Sequence, residues 1–333
     1  MNPFRLPSWL ESRSSGVLLH ATSLPGEFGI GNLGRSSREF IDFLHEAGFR
    51  FWQICPVGPT GYGDSPYQVF SSSAGNPYLI DWQSIVEVGI LNLDELAPLR
   101  CHPDDNINYG HLFDHFYSVA QIAYSNFEQN RQSVEAKYGI FSDFIEANKN
   151  WLEPYCCYQA LKKSSANKPW WEWEDKIRKY SRTILDSFST AELETYNLHS
   201  FFQYLFFSQW KELRAYAHSK DVQILGDLPI YVAPDSADVW ERPELFHVDS
   251  KVGEFSHVAG VPPDYFNADG QYWGNPLYHW SAHQDEGYDW WIKRLESQLR
   301  LFDVVRIDHF RGFHDYWSIP KETSDAKAGE WKD

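Results

Sequence analysis

Four short apolar runs, each opening into a turn-rich segment and separated by helix-length stretches, constrain this chain more than any other feature. They are Gly16–His20, Phe51–Val57, Val222–Leu225 leading into Gly226–Tyr231, and Asp303–Asp308. Between the first two lies an amphipathic stretch opened by Ser36, with Phe40, Ile41, Phe43 and Leu44 at helical spacing, and closed by Gly48, a residue type preferred just past a helix end. Helical patterns also precede the third and fourth runs, over about Phe201–Ser219 and Trp290–Leu301. Strands alternating with helices predict an α/β fold with a parallel sheet. Residues 90–200 break the alternation with helical patterns such as Leu112–Gln129 and no comparable strand. That span is too long for a plain connection and predicts a mostly helical insertion with its own subdomain. The expected organisation is two strand–helix units over 1–89, the insertion over 90–200, and two more units over 201–333.

Composition narrows the function classes. With 43% hydrophobic and 23% charged residues, the 333-residue chain has the make-up of a globular protein with a sizeable core. Residues 1–16 mix Arg, Pro, Ser, Trp and Glu without the apolar core of a signal peptide, and no run approaches the ~20 apolar residues of a membrane span. A cytoplasmic location is the resulting expectation. Cys156 and Cys157 are adjacent, Cys55 and Cys101 stand apart, and neither they nor the histidines show metal-ligand spacing, so reduced thiols and no metal or cofactor are expected. A net charge of −17 repels phosphate backbones and anionic membranes and favours a neutral ligand. Fifteen Trp, nineteen Tyr and twenty-three Phe supply flat faces that stack on sugar rings, although core packing is the commoner use of any one of them.

The chemistry gathers at the carboxyl ends of the runs, where sites of parallel α/β folds lie. Asp227 follows the third run and Asp308 closes the fourth, two residues after Arg306. Residues i and i+2 of a strand share a face, so Arg306 is placed beside Asp308. A fixed cation there favours an ionised carboxylate, as a nucleophile attacking an anomeric carbon requires. On the spacing alone, an Arg–Asp pair that merely orders a strand end is the commoner reading.

Several blocks carry a family resemblance. Val304–Phe313 resembles the nucleophile strand of the 4-α-glucanotransferases in the α-amylase clan. Gly16–His20 with Thr22–Pro25 resembles that family's opening strand, and Gly58–Gln68 with Ala74–Pro77 its second-strand loop. Asp227–Ala233 with Asp235–Trp240 is similar to its third-strand signature, and Gly260–Phe266 with Gly270–Pro276 to its mobile active-site loop. The blocks run in family order from about residue 14 to the end.

The resemblance implies a (β/α)8 TIM barrel, with the insertion above its mouth. It also implies transfer of α-1,4-glucan segments between maltooligosaccharides by retaining double displacement. Asp308 is then the nucleophile, Arg306 its partner, and Asp227, Ser65 and Tyr67 line the sugar subsite at the cleavage point. Gln271 and Trp273 are further sugar contacts, and Tyr265 and Phe266 form a loop tip over bound glucan. For His309 the strand alternation, if it persists, points the ring away from Asp308, so a contact to substrate hydroxyls or a structural role is expected rather than general base.

A closed barrel needs eight strands, and four are credible here, with a polar, loop-like tail after Gly312. Retaining chemistry needs a second carboxyl group, and none after Asp308 is assignable; Glu322 and Glu330 sit in that tail. The expectation is an amino-terminal portion, with the acid/base Glu and a stabilising Asp beyond residue 333. Two rivals stay open, a clan hydrolase sharing Arg306, Asp308 and Asp227, and an inactive fragment that only binds glucan.

Overall fold

The computed structural model describes residues 13–61, 63–101, 106–249, 253–323 and 325–333. β1 (Gly16–Leu18) leads through a turn-rich loop to α1 (Arg35–Glu46), and Gly48, at φ +77°, turns the chain into β2 (Phe51–Gln53). α2 (Trp82–Glu87) starts where the Asp81 carboxylate accepts the Gln83 N–H. The helices α3 (Tyr109–Gln129), α4 (Arg131–Tyr138) and α5 (Phe141–Ser164) follow. Next comes α6 (Thr190–Ser219), whose first turn is fixed by a reciprocal Ser189–Glu192 capping box. The remainder is β3 (Gln223–Leu228), α7 (Ala237–Glu241), β4 (His257–Val261), β5 (Gln271–Pro276), α8 (Trp280–Asp285), α9 (Asp289–Leu301), β6 (Val304–Ile307), β7 (Tyr316–Pro320) and β8 (Glu330–Lys332).

The four apolar runs pair as one parallel sheet in the order β1-β2-β3-β6. Its register sets Val17 against Trp52, Trp52 against Ile224, and Gly226 against Val305. Because side chains alternate, these residues share a face, and Trp52 and Ile224 are buried in one core with Ile41 and Leu44 of α1 and Phe201, Phe206 and Trp210 of α6. The Phe302 ring lies so close over Gly226 that a Cβ there would sit 2.1 Å from it. On the other face Gln53, Leu225 and Val304 are only half-buried and Leu18 is 61% exposed. Helices thus cover one face of this sheet. No closed barrel forms among the described residues, whose parallel sheet has the four strands β1, β2, β3 and β6.

Phe116 and Phe127 of α3 join the same core as the parallel strands, so α3 shares its packing with the sheet. α6 runs without a break across residues 200 and 201, where the organisation read from sequence placed a boundary.

The sequence reading of four strands is corrected by a second sheet, antiparallel and ordered β5-β4-β7-β8. Gly260–Pro276, expected as a loop, is a β4–β5 hairpin with a bulge between Val258 and Gly260. The tail expected to be loop-like contributes β7 and β8, with Trp317 opposite Trp331. Tyr316–Pro320 is buried at Tyr316, Ser318 and Ile319 without a clean alternation, and that pattern, the Pro at its end and the polar residues around it concealed the strand. Trp170, Trp173 and Trp240 are fully buried in a second core with Leu228, Val258 and Ile319, so much of the aromatic wealth is packing. All four cysteines are free.

Glu241, the last residue of α7, is pushed up to about 7 by burial first and then by Asp238, Arg242 and Lys293 opposing this and Glu244 adding to it. A raised carboxyl pKa means the folded state holds its proton longer. Its stability contribution is complete below the ordinary value of 4.5 and is lost as pH rises to about 7. Glu241→Gln should therefore raise Tm relative to the parent at about pH 8 and leave it nearly unchanged at about pH 4. Thermal melts of both proteins across that range check it, and an equal Tm shift at both ends would contradict it.

Candidate active site

The parallel register builds the site. Asp227 lies opposite Arg306 across the β3–β6 pair, and Asp308 follows two residues after Arg306, with its N–H still donating to the Leu228 carbonyl at 2.9 Å. One guanidinium therefore serves two carboxylates: Arg306 Nη1 donates to Asp227 at 2.6 Å and Nη2 to Asp308 at 2.5 Å. Asp227 is buried, whereas Asp308 and Arg306 are partly open to solvent. Burial opposes the Arg306 charge, but the two carboxylates outweigh it and raise its pKa above the ordinary guanidinium value.

The loop after β2 folds back on itself through a Thr60–Val69 bridge and delivers Tyr67, whose hydroxyl donates to Asp227 at 2.9 Å. Burial, then Asp227, pushes that phenol up, so it remains a donor. Ser65 accepts the Tyr67 N–H at 3.3 Å and so shapes the turn that aims the ring. Gln68 ties the loop to Asn275 of β5 at 3.3 Å, and Asn275 is held by the Val232 carbonyl at 2.8 Å.

The β4–β5 hairpin supplies the opposite wall. Trp273 Nε1 donates to the Gln271 side chain at 3.0 Å, and its ring meets the His309 imidazole edge-on at 4.9 Å. The strand alternation used for His309 does not reach it: β6 ends at Ile307 and His309 sits at φ +50°, a left-handed turn that swings its ring toward Trp273. Burial lowers its pKa, and its Nε2 is buried without a protein partner among the described residues. At the hairpin tip Asp264 accepts the Phe266 and Asn267 N–H groups at 2.8 and 2.7 Å. That turn holds Tyr265 and Phe266 out in solvent, 98% and 94% exposed, in edge-to-face contact with each other at 5.7 Å. Asp308, Arg306, Asp227 and Tyr67 thus form one connected cluster. Trp273, Gln271 and His309 form a second, and the aromatic tip stands apart.

Sequence reasoning passed over two residues at strand ends, Cys55 beside the cluster and His20 at the carboxyl end of β1. Cys55, on the same side of the strand as Gln53, lies beside the Tyr67 hydroxyl and Asp227, with its thiol pushed up by burial. His20, just past β1, is pushed down to about 4 by burial and carries a buried Nδ1 without a partner among the described residues. Position at a strand's carboxyl end was the available signal for both.

Residues 19–333 match the family model described as 4-alpha-glucanotransferase. A 4-alpha-glucanotransferase of Thermus thermophilus is 46% identical over 319 residues, covering 96% of this chain and 62% of that relative. One from Synechocystis sp. is 43% identical over 325 residues, covering 97% and 63%. Among solved structures, the amylomaltase of Streptococcus agalactiae in complex with acarbose superposes with a TM-score of 0.89 at 41% identity, covering 96% of this chain and 64% of its own. Fold and comparisons define an α/β chain of the amylomaltase type. It belongs to the 4-alpha-glucanotransferase family, glycoside hydrolase family 77. The chain spans about 62% of the length of the Thermus relative, and no helix among the described residues is long and apolar enough to cross a membrane.

Proposed function

We propose that the protein containing this chain transfers α-1,4-glucan segments to the 4-hydroxyl of an acceptor glucan or glucose, with Asp308 as nucleophile. The observation that carries this reading is the Asp227–Arg306–Asp308 chain at the carboxyl edge of the parallel sheet, with Tyr67 donating to Asp227. Asp308 Oδ attacks the anomeric carbon, the glycosidic oxygen leaves with a proton, and the glycosyl ester is then opened by an acceptor hydroxyl. Arg306 holds the carboxylate in its attacking geometry. Asp227 and Tyr67 bind hydroxyls of the sugar being transferred, Ser65 positions Tyr67, and Gln271, Trp273 and His309 hold that sugar from the hairpin side.

The second carboxyl group this chemistry needs, about 5–5.5 Å from the nucleophile, is assigned to the part of the relatives that this chain does not span. The four parallel strands are read as consecutive staves of a (β/α)8 barrel. Support comes from the half-open face that carries Leu18, Leu225 and Val304 and from the outer edges of β1 and β6, which have no strand partner among the described residues.

Incubation of the protein with maltotriose tests the reading. Glucose together with oligosaccharides longer than three units is the expected product set. Shortened sugars alone would replace transfer by hydrolysis, and binding without turnover would leave a glucan-binding role. Tyr265 and Phe266 cap the bound glucan and keep water from the loaded nucleophile. Replacing either with Ala should raise the hydrolysis-to-transfer ratio several-fold, read from reducing-end release against chain lengthening; an unchanged ratio would remove the tip from the mechanism.

A further inference from the structure

At the other end of the sheet, on its helix-covered side, α5, α6 and α9 enclose a cleft of about 440 Å³, within the ~300–1,000 Å³ range of small-molecule sites. Its floor is apolar, made by the buried Trp210 and Leu301. One wall is aromatic: Trp151 packs on Phe207 at 5.4 Å, and its Nε1 is held by the Asn148 side chain at 3.1 Å. Lys211, Arg214, Arg300 and His218 are the basic side chains of the lining, beside the small Ser73, Ala215 and Ser297, and no acidic side chain is among the described lining residues. In a chain of net charge −17 that concentration of cations calls for a reason.

Structural duties account for only half of it. Asp303, next to the cleft, accepts from Arg214 at 2.7 and 3.0 Å and lies 2.8 Å from His218 Nε2, while its other oxygen takes the Ile224 N–H. Arg214 also caps the end of α9 through the Arg300 carbonyl at 2.8 Å. Lys211 and Arg300 make no side-chain hydrogen bond or ion pair with any described residue. Lys211 lies two turns inside α6, too far from Ser219 for helix-end compensation to explain it.

We propose that this cleft binds a small organic phosphate, its phosphoryl group held between Lys211 and Arg300 and its ring laid against Trp151. A sugar phosphate and a nucleoside monophosphate share that chemistry. The site lies beside the amino end of β6, whereas Asp308 follows its carboxyl end, so occupancy is separable from turnover.

The test is calorimetric titration of the unmodified protein with glucose 6-phosphate, AMP, inorganic phosphate and glucose. The Lys211→Ala/Arg300→Ala double variant and Asp308→Asn are titrated beside it, with Trp fluorescence as a second readout on the unmodified protein. One organic phosphate should bind, quench Trp emission, lose affinity with added salt, and bind at least ~10-fold more weakly to the double variant. Asp308→Asn should bind it as the parent does. The preferred arm, glucose 6-phosphate or AMP, identifies the source. Absence of binding by both, affinity retained in a folded double variant, or inorganic phosphate or glucose binding as tightly as either organic phosphate would each overturn the proposal.

Discussion

Asp308→Asn is expected to abolish transfer and hydrolysis together, lowering turnover at least ~10³-fold, because groups that act as a unit in covalent catalysis lose most of their effect when one is removed. The amide keeps the shape of the side chain and can still meet Arg306 Nη2, which reaches the carboxylate at 2.5 Å in the parent. Glucan binding and Tm should change little, and that combination separates chemistry from architecture. Arg306→Lys should also be costly. A single ammonium cannot reproduce two divergent hydrogen bonds, one to Asp227 and one to Asp308, and it leaves the buried Asp227 short of a partner. Turnover of maltotriose by both variants, with circular dichroism to verify folding, decides the matter. Near-parental rates in Asp308→Asn would remove Asp308 from the nucleophile role.

Residues 1–333 produced alone are expected to self-associate, and this is the second large effect. Neither β1 nor β6 has a strand on its outer side among the described residues. Parallel sheets are ordinarily covered on both faces, yet Leu18 is 61% exposed on the uncovered face, and Phe310, just past β6, is 67% exposed. Open edges beside apolar surface are templates for pairing with other chains. Light scattering and sizing of this span, compared with a chain extended to the length of the Thermus relative, should give oligomers or aggregate for the first and a narrow peak for the second. A monodisperse monomer from the short span would show that the edges are protected.

The parallel sheet was legible in the sequence because its inward residues, such as Trp52, Ile224 and Val305, form apolar runs bounded by turns and helices. The Arg306–Asp308 pairing followed from strand geometry alone. Its extension to Asp227 required the β3–β6 register, which sequence spacing does not carry across residues separated by three helices and a hairpin. β4, β5, β7 and β8 were missed for a physical reason: antiparallel strands with Gly, Pro and polar residues resemble loops, and their pairing is settled by partners far along the chain. His309 shows the limit in miniature, since a single residue in the left-handed region cancels the alternation that sequence reasoning extends through it.

The Arg306 bridge has a further consequence in terms of charge selectivity. One guanidinium between two carboxylates leaves the cluster with a formal charge of one negative unit, at the edge of a chain that is itself acidic. A sugar mimic with a protonated ring nitrogen meets attraction there, as does positive charge growing on an anomeric carbon during bond cleavage, while a phosphorylated sugar meets repulsion. Anionic sugars should accordingly bind at the sheet edge that carries Asp308 more weakly than neutral ones, a difference that competition titration would read.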